Sequence, residues 1–381
     1  MVAFNTVHFH SSWDNADACG ILLVALFLVH VYRLVYKIIV ISREEDRPGK
    51  NNEDEGVSVI ITAHNRADSL KENLIGFLVQ DYNAEKYEVI VVDDCSEDDT
   101  SELLSRMQEE YPCLRCTRVH PDTKFRFTKK LAINIGVLSA RHDVLLFSEA
   151  DCYPASSSWA REMGSCFDEE TAVVIGLSNF RDQGRLFSWK RYFRFARFLE
   201  MLFLCRSRES LLGDGCNMGY RKSFYMRNRG FAGNTQSYLG YDHDMARALA
   251  KYGKVKVCTR REGFMHVDER DEDKASDDTS RYFAEKARWP LSRRLQARMD
   301  ASIRASIYIL SLSLVCLKVL PAYALALAAT VFLLDVVSAQ LFARRFNQQH
   351  LLLTSLVAHL TGFAYRWYWH GYSFFNPKKW R

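Results

Sequence analysis

Val57-Ser-Val-Ile-Ile-Thr-Ala63, Tyr87-Glu-Val-Ile-Val-Val92 and Val144-Leu-Leu-Phe147 decide the fold. Each is a short run of β-branched or large apolar residues, the pattern of a strand buried on both faces. Helical patterns run between them. Asp68 stands where it can cap a helix reaching about Gln80, with Leu70, Leu74, Phe77 and Leu78 on one face. Thr100 to Glu110 reads as a second helix and Lys129 to Ala140 as a third, with Leu131, Ile135 and Leu138 in phase. Strands alternating with helices imply an α/β domain on a mostly parallel sheet with crossover helices.

Ligands of such sheets lie outside the carboxyl ends of the strands. Acids gather there: Asp93 and Asp94 after the second strand, Glu149 and Asp151 after the third. A single acid at a strand end reads first as a solvated loop residue, but two clusters along one sheet edge point to a site. Carboxylates two apart in an extended turn face the same way and can grip a hard divalent cation, Mg2+ or Mn2+, that bridges to a phosphate-bearing substrate. Neither a GxxxxGK[ST] loop nor a GxGxxG turn is present, and Gly213-Asp-Gly-Cys-Asn-Met-Gly219 fails that spacing. The pattern offers carboxylates and a metal for a nucleotide, without a glycine-rich cradle. Cys113-Leu-Arg-Cys116 has no second CxxC to complete a zinc site and reads as ordinary strand or loop cysteines.

The chain of 381 residues carries 48% hydrophobic and 25% charged residues and a formal charge of +5. Low-complexity disorder and a disulfide-stapled miniprotein are excluded, and the charge is too small to argue for nucleic acid. The apolar residues are segregated. Gly20 to Ile41 is long enough to span a hydrocarbon core, interrupted by His30, Arg33 and Lys37 on one helix stripe, the last two placed to snorkel toward headgroups. Met1 to Cys19 holds no Lys or Arg, unlike a signal peptide. Ile303 to Leu320 and Ala322 to Phe342, divided by Pro321, fit a hairpin of spanning helices, with Asp335 turned to a neighbouring helix or lying near one end. Leu351 to Tyr365 is short, and Arg366-Trp-Tyr-Trp369 follows as an interfacial belt. Lys37, Arg43, Arg47 and Lys50 then put the N-terminus outside and the α/β domain in the cytoplasm, at an inner or plasma membrane. The ten cysteines agree with a reducing compartment. Expected boundaries are an external segment 1–19, an anchor 20–42, a linker 43–56, the catalytic domain 57–290, a linker 291–302, the hairpin 303–343 and an interfacial or re-entrant segment 344–381. In Arg185 to Arg206, Lys190, Arg194 and Arg197 share a face, as in an interfacial amphipathic helix or in a helix packed on the domain with a basic solvent face. The acidic run Asp268 to Asp278 reads as a solvated loop, or as a lid if it moves.

Val57 to Arg66 followed by Val91-Val-Asp-Asp-Cys-Ser-Glu-Asp-Asp-Thr100 resembles the opening of family 2 glycosyltransferases. Lys129-Lys-Leu-Ala-Ile-Asn134 resembles that family's GKxxALN segment, and Phe147 to Pro154 its DxD strand end. Gly240-Tyr-Asp-His-Asp-Met245 resembles the ED motif and Glu285-Lys-Ala-Arg-Trp289 the QxxRW motif. The order and spacing make the set specific over about Val57 to Pro290. The resemblance implies the GT-A, Rossmann-like fold of nucleotide-diphospho-sugar transferases, flanked here by transmembrane helices.

It also implies roles. Ala63, His64 and Asn65 would line the base pocket, and Asp93 and Asp94 would meet the base or ribose of a nucleotide-sugar donor, a UDP-sugar being expected. Lys129, Arg288 and Trp289 would lie near the phosphates, the last two also near the acceptor. Glu149 takes the first DxD position near ribose or metal-bound water, Asp151 would ligate Mg2+ or Mn2+, and His266 is a candidate third ligand. Asp242 would be the general base, with Asp244 as the alternative; two residues apart at a helix start, they face different ways. Departures from the pattern are Glu149 for the first Asp of DxD, Cys95 for a turn glycine, Thr128 for the glycine of GKxxALN, Tyr241 for the Glu of ED and Glu285 for the Gln of QxxRW. The expected reaction is inverting, metal-dependent sugar transfer to a lipid-linked or cell-surface glycan acceptor, with membrane lipids as partners. A nucleotidyltransferase of the same fold, or a membrane scaffold with a degenerate site, are the alternatives.

Overall fold

The computed structural model describes residues 10–43, 55–119, 128–205, 212–232, 241–268 and 291–375. Helix α1 (His10–Arg43) leads into the α/β domain. There β1 (Val57–Ala63), α2 (Ala67–Leu78), β2 (Tyr87–Asp94), α3 (Thr100–Glu110), β3 (Leu114–Val119), α4 (Thr128–Ser139) and β4 (Val144–Glu149) follow in strict alternation. Then come β5 (Cys152–Pro154), α5 (Trp159–Ser165), β6 (Thr171–Gly176), β7 (Ser178–Phe180), α6 (Trp189–Leu204), β8 (Met218–Arg221), α7 (Lys222–Arg227), α8 (His243–Leu249), β9 (Lys254–Cys258) and β10 (Met265–Val267). The chain closes with α9 (Leu291–Cys316), α10 (Pro321–Arg345) and α11 (Leu352–Phe375).

The main sheet has seven strands in the order β3-β2-β1-β4-β8-β6-β9. Its first half is parallel, as the sequence implies, with β1 between β2 and β4. Only β8 runs against its neighbours, β4 and β6. A small sheet, β5-β10-β7, stands beside the carboxyl end of β4. One apolar layer joins the main sheet to α2, α3 and α5. The other joins it to α4, α6 and α8. Gly136 on α4 is fixed by this packing, because a Cβ there would stand 2.6 Å from Ile60 Cγ2. The cap of α2 differs from expectation. Arg66 occupies the N-cap position without a side-chain capping bond to the helix, and Asp68 lies in the first turn, where its charge still favours the helix dipole.

Among the described residues three helices are long and apolar enough to cross a membrane: the stretches Asp17–Ser42, Arg298–Cys316 and Pro321–Arg345. They pack around Leu23, Ile307, Leu314, Ala324 and Val331. Residues 291–302, read as a linker, are the first turns of α9. Asp335 is buried between helices and pairs with His30 Nε2 at 3.2 Å and Arg304 Nη1 at 2.9 Å. Arg33 and Lys37, expected to snorkel, both pair with Asp300 of α9 instead. An internal carboxylate satisfies them more fully than a headgroup would, because a charge at depth needs a fixed partner.

The bundle and the α/β domain share a core. Phe346, just past α10, is fully buried and packs edge-on against Phe195 and Phe198 of α6, with ring centroids 6.0 and 5.3 Å away. Helix α6 overturns the readings of Arg194 and Arg197 as facing lipid or solvent, while Lys190 of the same stripe is exposed. Arg191, Arg194 and Arg197 are all buried against the domain. Arg194 donates to Ser178 O at 3.1 Å and lies 3.5 Å from Asp214 Oδ1. Arg197 donates to Gly213 O at 3.3 Å. Arg191 reaches Gln349 O and Asp182 Oδ1, each at 3.1 Å. The outer face of α6 stacks on the bundle instead, with Phe193 4.1 Å from Tyr365 and Tyr36 5.8 Å from Phe203.

Arg194 is therefore expected to be needed for stability. Arg194→Ala leaves a buried carboxylate without its cation, and chemical denaturation should show a loss of about 3–5 kcal/mol. The double variant with Asp214→Ala should lose less than the sum of the two single changes. Strict additivity would mean that the pair is not coupled.

Candidate active site

The site is built on register. Ala63 of β1 is opposite Asp93 of β2, and Thr62 of β1 is opposite Glu149 of β4. Three strand ends thus finish in one row, and their polar residues share one edge.

The first two loops are stitched together. His64 Nδ1 lies 2.6 Å from Asp94 O. Asn65 N donates to Ser96 Oγ at 2.9 Å, and Glu97 N donates to Asn65 Oδ1 at 2.8 Å. Asp93 is buried and holds the turn: it accepts from Ser96 N and Ser101 Oγ, both at 3.0 Å, and lies 3.5 Å from Arg118 Nε. Asn65 and Cys95 have φ of +52° and +59°, in the left-handed region. Asparagine tolerates it; cysteine, standing where the family pattern has glycine, is strained there. Burial and the adjacent Asp94 and Asp93 push the Cys95 thiol up, so it stays protonated.

On the other side of β1, Glu149 Oε1 accepts from Lys129 Nζ at 3.0 Å and from Tyr241 OH at 2.7 Å. These three residues line a cleft of about 330 Å³ together with Thr62, Phe147 and Gly215. Glu149, a candidate metal ligand by sequence, is thus held in an ion pair. Asp151 is buried in the turn that follows, and Asp268 N donates to its carbonyl at 2.8 Å. In the β5–β10 ladder His266 is opposite Tyr153, the ring centroids 5.2 Å apart. Asp151 lies in the turn directly before β5, whose Cys152 is opposite Val267 in this ladder. Burial lowers the His266 pKa below its ordinary value, and Arg181 and Arg191 add to the effect. The imidazole is therefore neutral at pH 7, the form that binds metal.

Among the described residues no three His, Cys, Asp or Glu side chains gather into a cage for an ion. Asp151, a buried carboxylate just past the end of β4, is nevertheless a ligand type suited to a cation of the Mg2+ class, which takes one or two protein carboxylates and completes its shell with water and substrate phosphates.

Asp242 is buried and N-caps α8, accepting from His243 N at 2.7 Å. Asp244 lies in the first turn and pairs with Arg247. The loop 212–217 braces Asp242. Gly213 N donates to His243 Nδ1 at 2.9 Å, and a Cβ at Gly213 would come within 2.7 Å of Asp242 O. Arg197 holds this loop from α6, and the fully buried Asn217 donates to Leu177 O and Gly263 O, both at 2.9 Å. Arg288 and Trp289 lie outside the described residues, as do Glu285 and most of the acidic run after Asp268. Sequence reasoning missed Tyr241, Gly213 and Gly215 as site residues. The glycine density of 213–219 was the signal, set aside because it did not match a phosphate loop.

A nucleotide-sugar transferase fold of the GT-A type accounts for this arrangement. Residues 58–228 match the family described as Glycosyl transferase family 2. Over 138 residues it is 31% identical to the uncharacterized glycosyltransferase YfnE of Bacillus subtilis (strain 168), a match covering 36% of this chain and 31% of that protein. Over 100 residues it is 28% identical to the poly-beta-1,6-N-acetyl-D-glucosamine synthase of Staphylococcus aureus (strain MSSA476), covering 26% of this chain and 23% of that protein. The chain thus spans about a third or less of the curated relatives it matches. A fold likeness over 91% of this chain and 98% of the other, with TM-score 0.51 and 17% identity, links it to a mannosyltransferase of Pyrobaculum calidifontis solved with GDP-Man and Mn2+.

The strain at Cys95 is testable. Cys95→Gly should raise stability by up to about 1 kcal/mol, and Cys95→Val should lower it, because a β-branched residue fits the left-handed region worst. Thermal melts of the two variants read out the order.

Proposed function

We propose that the chain is a membrane-anchored inverting glycosyltransferase. It would move a sugar from a nucleoside-diphosphate donor, a UDP-sugar by expectation, to a hydroxyl of a lipid-linked or glycan acceptor. The observation that carries this reading is the single sheet edge on which Ala63, Asp93 and Glu149 align, with Lys129 and Asp151 beside it. The P. calidifontis mannosyltransferase that shares the fold was solved with GDP-Man and Mn2+, which supports a nucleotide-sugar donor and a divalent cation for this reading.

Base and ribose would rest against Ala63, His64, Asn65 and Asp94, on loops fixed by Asp93 and its turn. The Lys129 ammonium would engage the diphosphate by charge-assisted bonds. A Mg2+ or Mn2+ ion held by Asp151, with His266 as a further ligand, would neutralise charge developing on the leaving diphosphate. Asp242 would take the proton of the attacking hydroxyl, a contribution of roughly 10²–10⁴-fold for a positioned base. A single displacement at the anomeric carbon inverts its configuration. Asp244, tied to Arg247, is the weaker candidate for the base.

The membrane reading is supported by the outer surfaces of the three apolar helices, where Ile21, Tyr32, Ile309, Leu312, Leu325 and Leu333 are exposed. Such a surface suits lipid rather than water. The Arg-Arg pair at the end of α10 and the basic residues after α1 favour the α/β domain on the cytoplasmic side.

Purified protein in lipid, given UDP-, GDP- and dTDP-sugars, should turn over at least one. Asp242→Asn should reduce turnover at least about 100-fold with the fold intact, and Asp244→Asn far less. EDTA should abolish turnover and added Mn2+ restore it. Undiminished turnover by Asp242→Asn would remove the base, and undiminished turnover in EDTA would remove the metal.

A further inference from the structure

Two departures from the family pattern meet at one atom. Glu149, where the resemblance places aspartate, and Tyr241, where it places glutamate, are joined by a 2.7 Å hydrogen bond from the phenol to Glu149 Oε1. Lys129 donates to the same oxygen at 3.0 Å, and its ammonium stands 4.2 Å from the centroid of the Tyr241 ring. The three side chains come from the end of β4, the start of α4 and the residue before the N-cap of α8. Gly215 packs against the group: a Cβ there would stand 2.8 Å from a Tyr241 ring carbon and 3.3 Å from Glu149 Oε1.

The substitutions are chemically matched. A glutamate at 241 would set a second carboxylate against Glu149, whereas a phenol donates to it. The consequence concerns Lys129. Its pair with Glu149 is largely buried, with side-chain exposures of 10% and 14%, so the attraction is little screened. A donor's diphosphate must draw this ammonium away. The exchange removes one donor from a largely buried carboxylate, and the Tyr241 hydroxyl is a second donor that can stay on it.

We propose that Tyr241 is a positioning residue for donor binding: its hydroxyl holds Glu149 in place while Lys129 is handed from Glu149 to the donor's diphosphate. This rests on the transferase reading above. It predicts that loss of the hydroxyl is felt through the Glu149 charge, and by ligands that carry a diphosphate.

Calorimetry on the full chain in lipid nanodiscs, with UDP and GDP as probes and UMP and GMP as controls, in Mg2+, tests it. Tyr241→Phe keeps the ring and its stacking on Lys129. It should weaken binding of whichever diphosphate binds by about tenfold, the worth of one hydrogen bond to a charged group, and weaken the monophosphate less. In a Glu149→Gln background the same change should cost less than about twofold, because no charge needs holding. With the active donor sugar, KM should rise more than kcat falls in Tyr241→Phe. Equal losses in both backgrounds, or unaltered diphosphate binding by Tyr241→Phe, would overturn the role of Tyr241 and leave the transferase reading standing. Failure of the wild-type chain to bind either diphosphate would overturn both.

Discussion

Everything at the candidate site depends on β1 lying between β2 and β4 in parallel register. Parallel neighbours need crossover helices, and crossovers return each strand to the same side, so all carboxyl ends finish at one edge. A slip of one residue in β1 would turn Thr62 away from the α4 side and move Ala63 out of line with Asp93. The packing forbids such a slip. Val57, Val59 and Ile61 are buried toward α2, α3 and α5, and Ile60 is buried toward α4, where Gly136 leaves it room. The site is thus a by-product of the core, and its electrostatics follow: acids crowd one edge, and Lys129 is drawn in to balance Glu149.

The second constraint comes from the three arginines of α6. Buried guanidinium groups require partners, and here the partners lie on both sides of the helix's length. Arg191 is tied to Asp182 and to the corner between α10 and α11, Arg194 to Ser178 and Asp214, and Arg197 to the carbonyl of Gly213. Asn179 extends the same line by donating to Gln348 at 2.7 Å. Gly213 in turn bonds the ring of His243, next to Asp242. A continuous set of polar contacts therefore runs from the apolar helix bundle to the candidate base, alongside the aromatic packing of Phe346 on α6. The bundle and the α/β domain pack together through these contacts.

Much of this was legible in the sequence, for reasons that can be named. Fully buried parallel strands are continuous apolar runs, and β1, β2 and β4 read without ambiguity; β3, an edge strand with Arg115, Thr117 and Arg118 among its six residues, did not. Helices α3 and α4 were found almost to the residue because their apolar phase is clean. The acidic strand ends were visible because charge following an apolar run is conspicuous. The orientation of α6 was not legible. Arginines spaced three apart look the same whether they face out or in, and their partners, Asp214, Gln349 and Gly213, are distant in sequence. The small β5-β10-β7 sheet has strands of three residues, too short to show a period. The Tyr241–Glu149 bond joins residues 92 positions apart, and each looked only like an exception to a motif. Asp93 was singled out as a contact for the donor, yet its carboxylate is engaged by its own turn, a role that needs the positions of Ser96 and Ser101.

The central claim is that the edge formed by β1, β2 and β4 receives a nucleoside diphosphate, with Asp242 facing the sugar side. A cryo-EM structure of the chain in lipid nanodiscs with UDP or GDP and Mn2+ tests it directly. The account predicts the base against Ala63 to Asn65, the diphosphate against Lys129, and the ion on Asp151. Nucleotide density away from this edge, or bound there with the diphosphate remote from both Lys129 and Asp151, would contradict it.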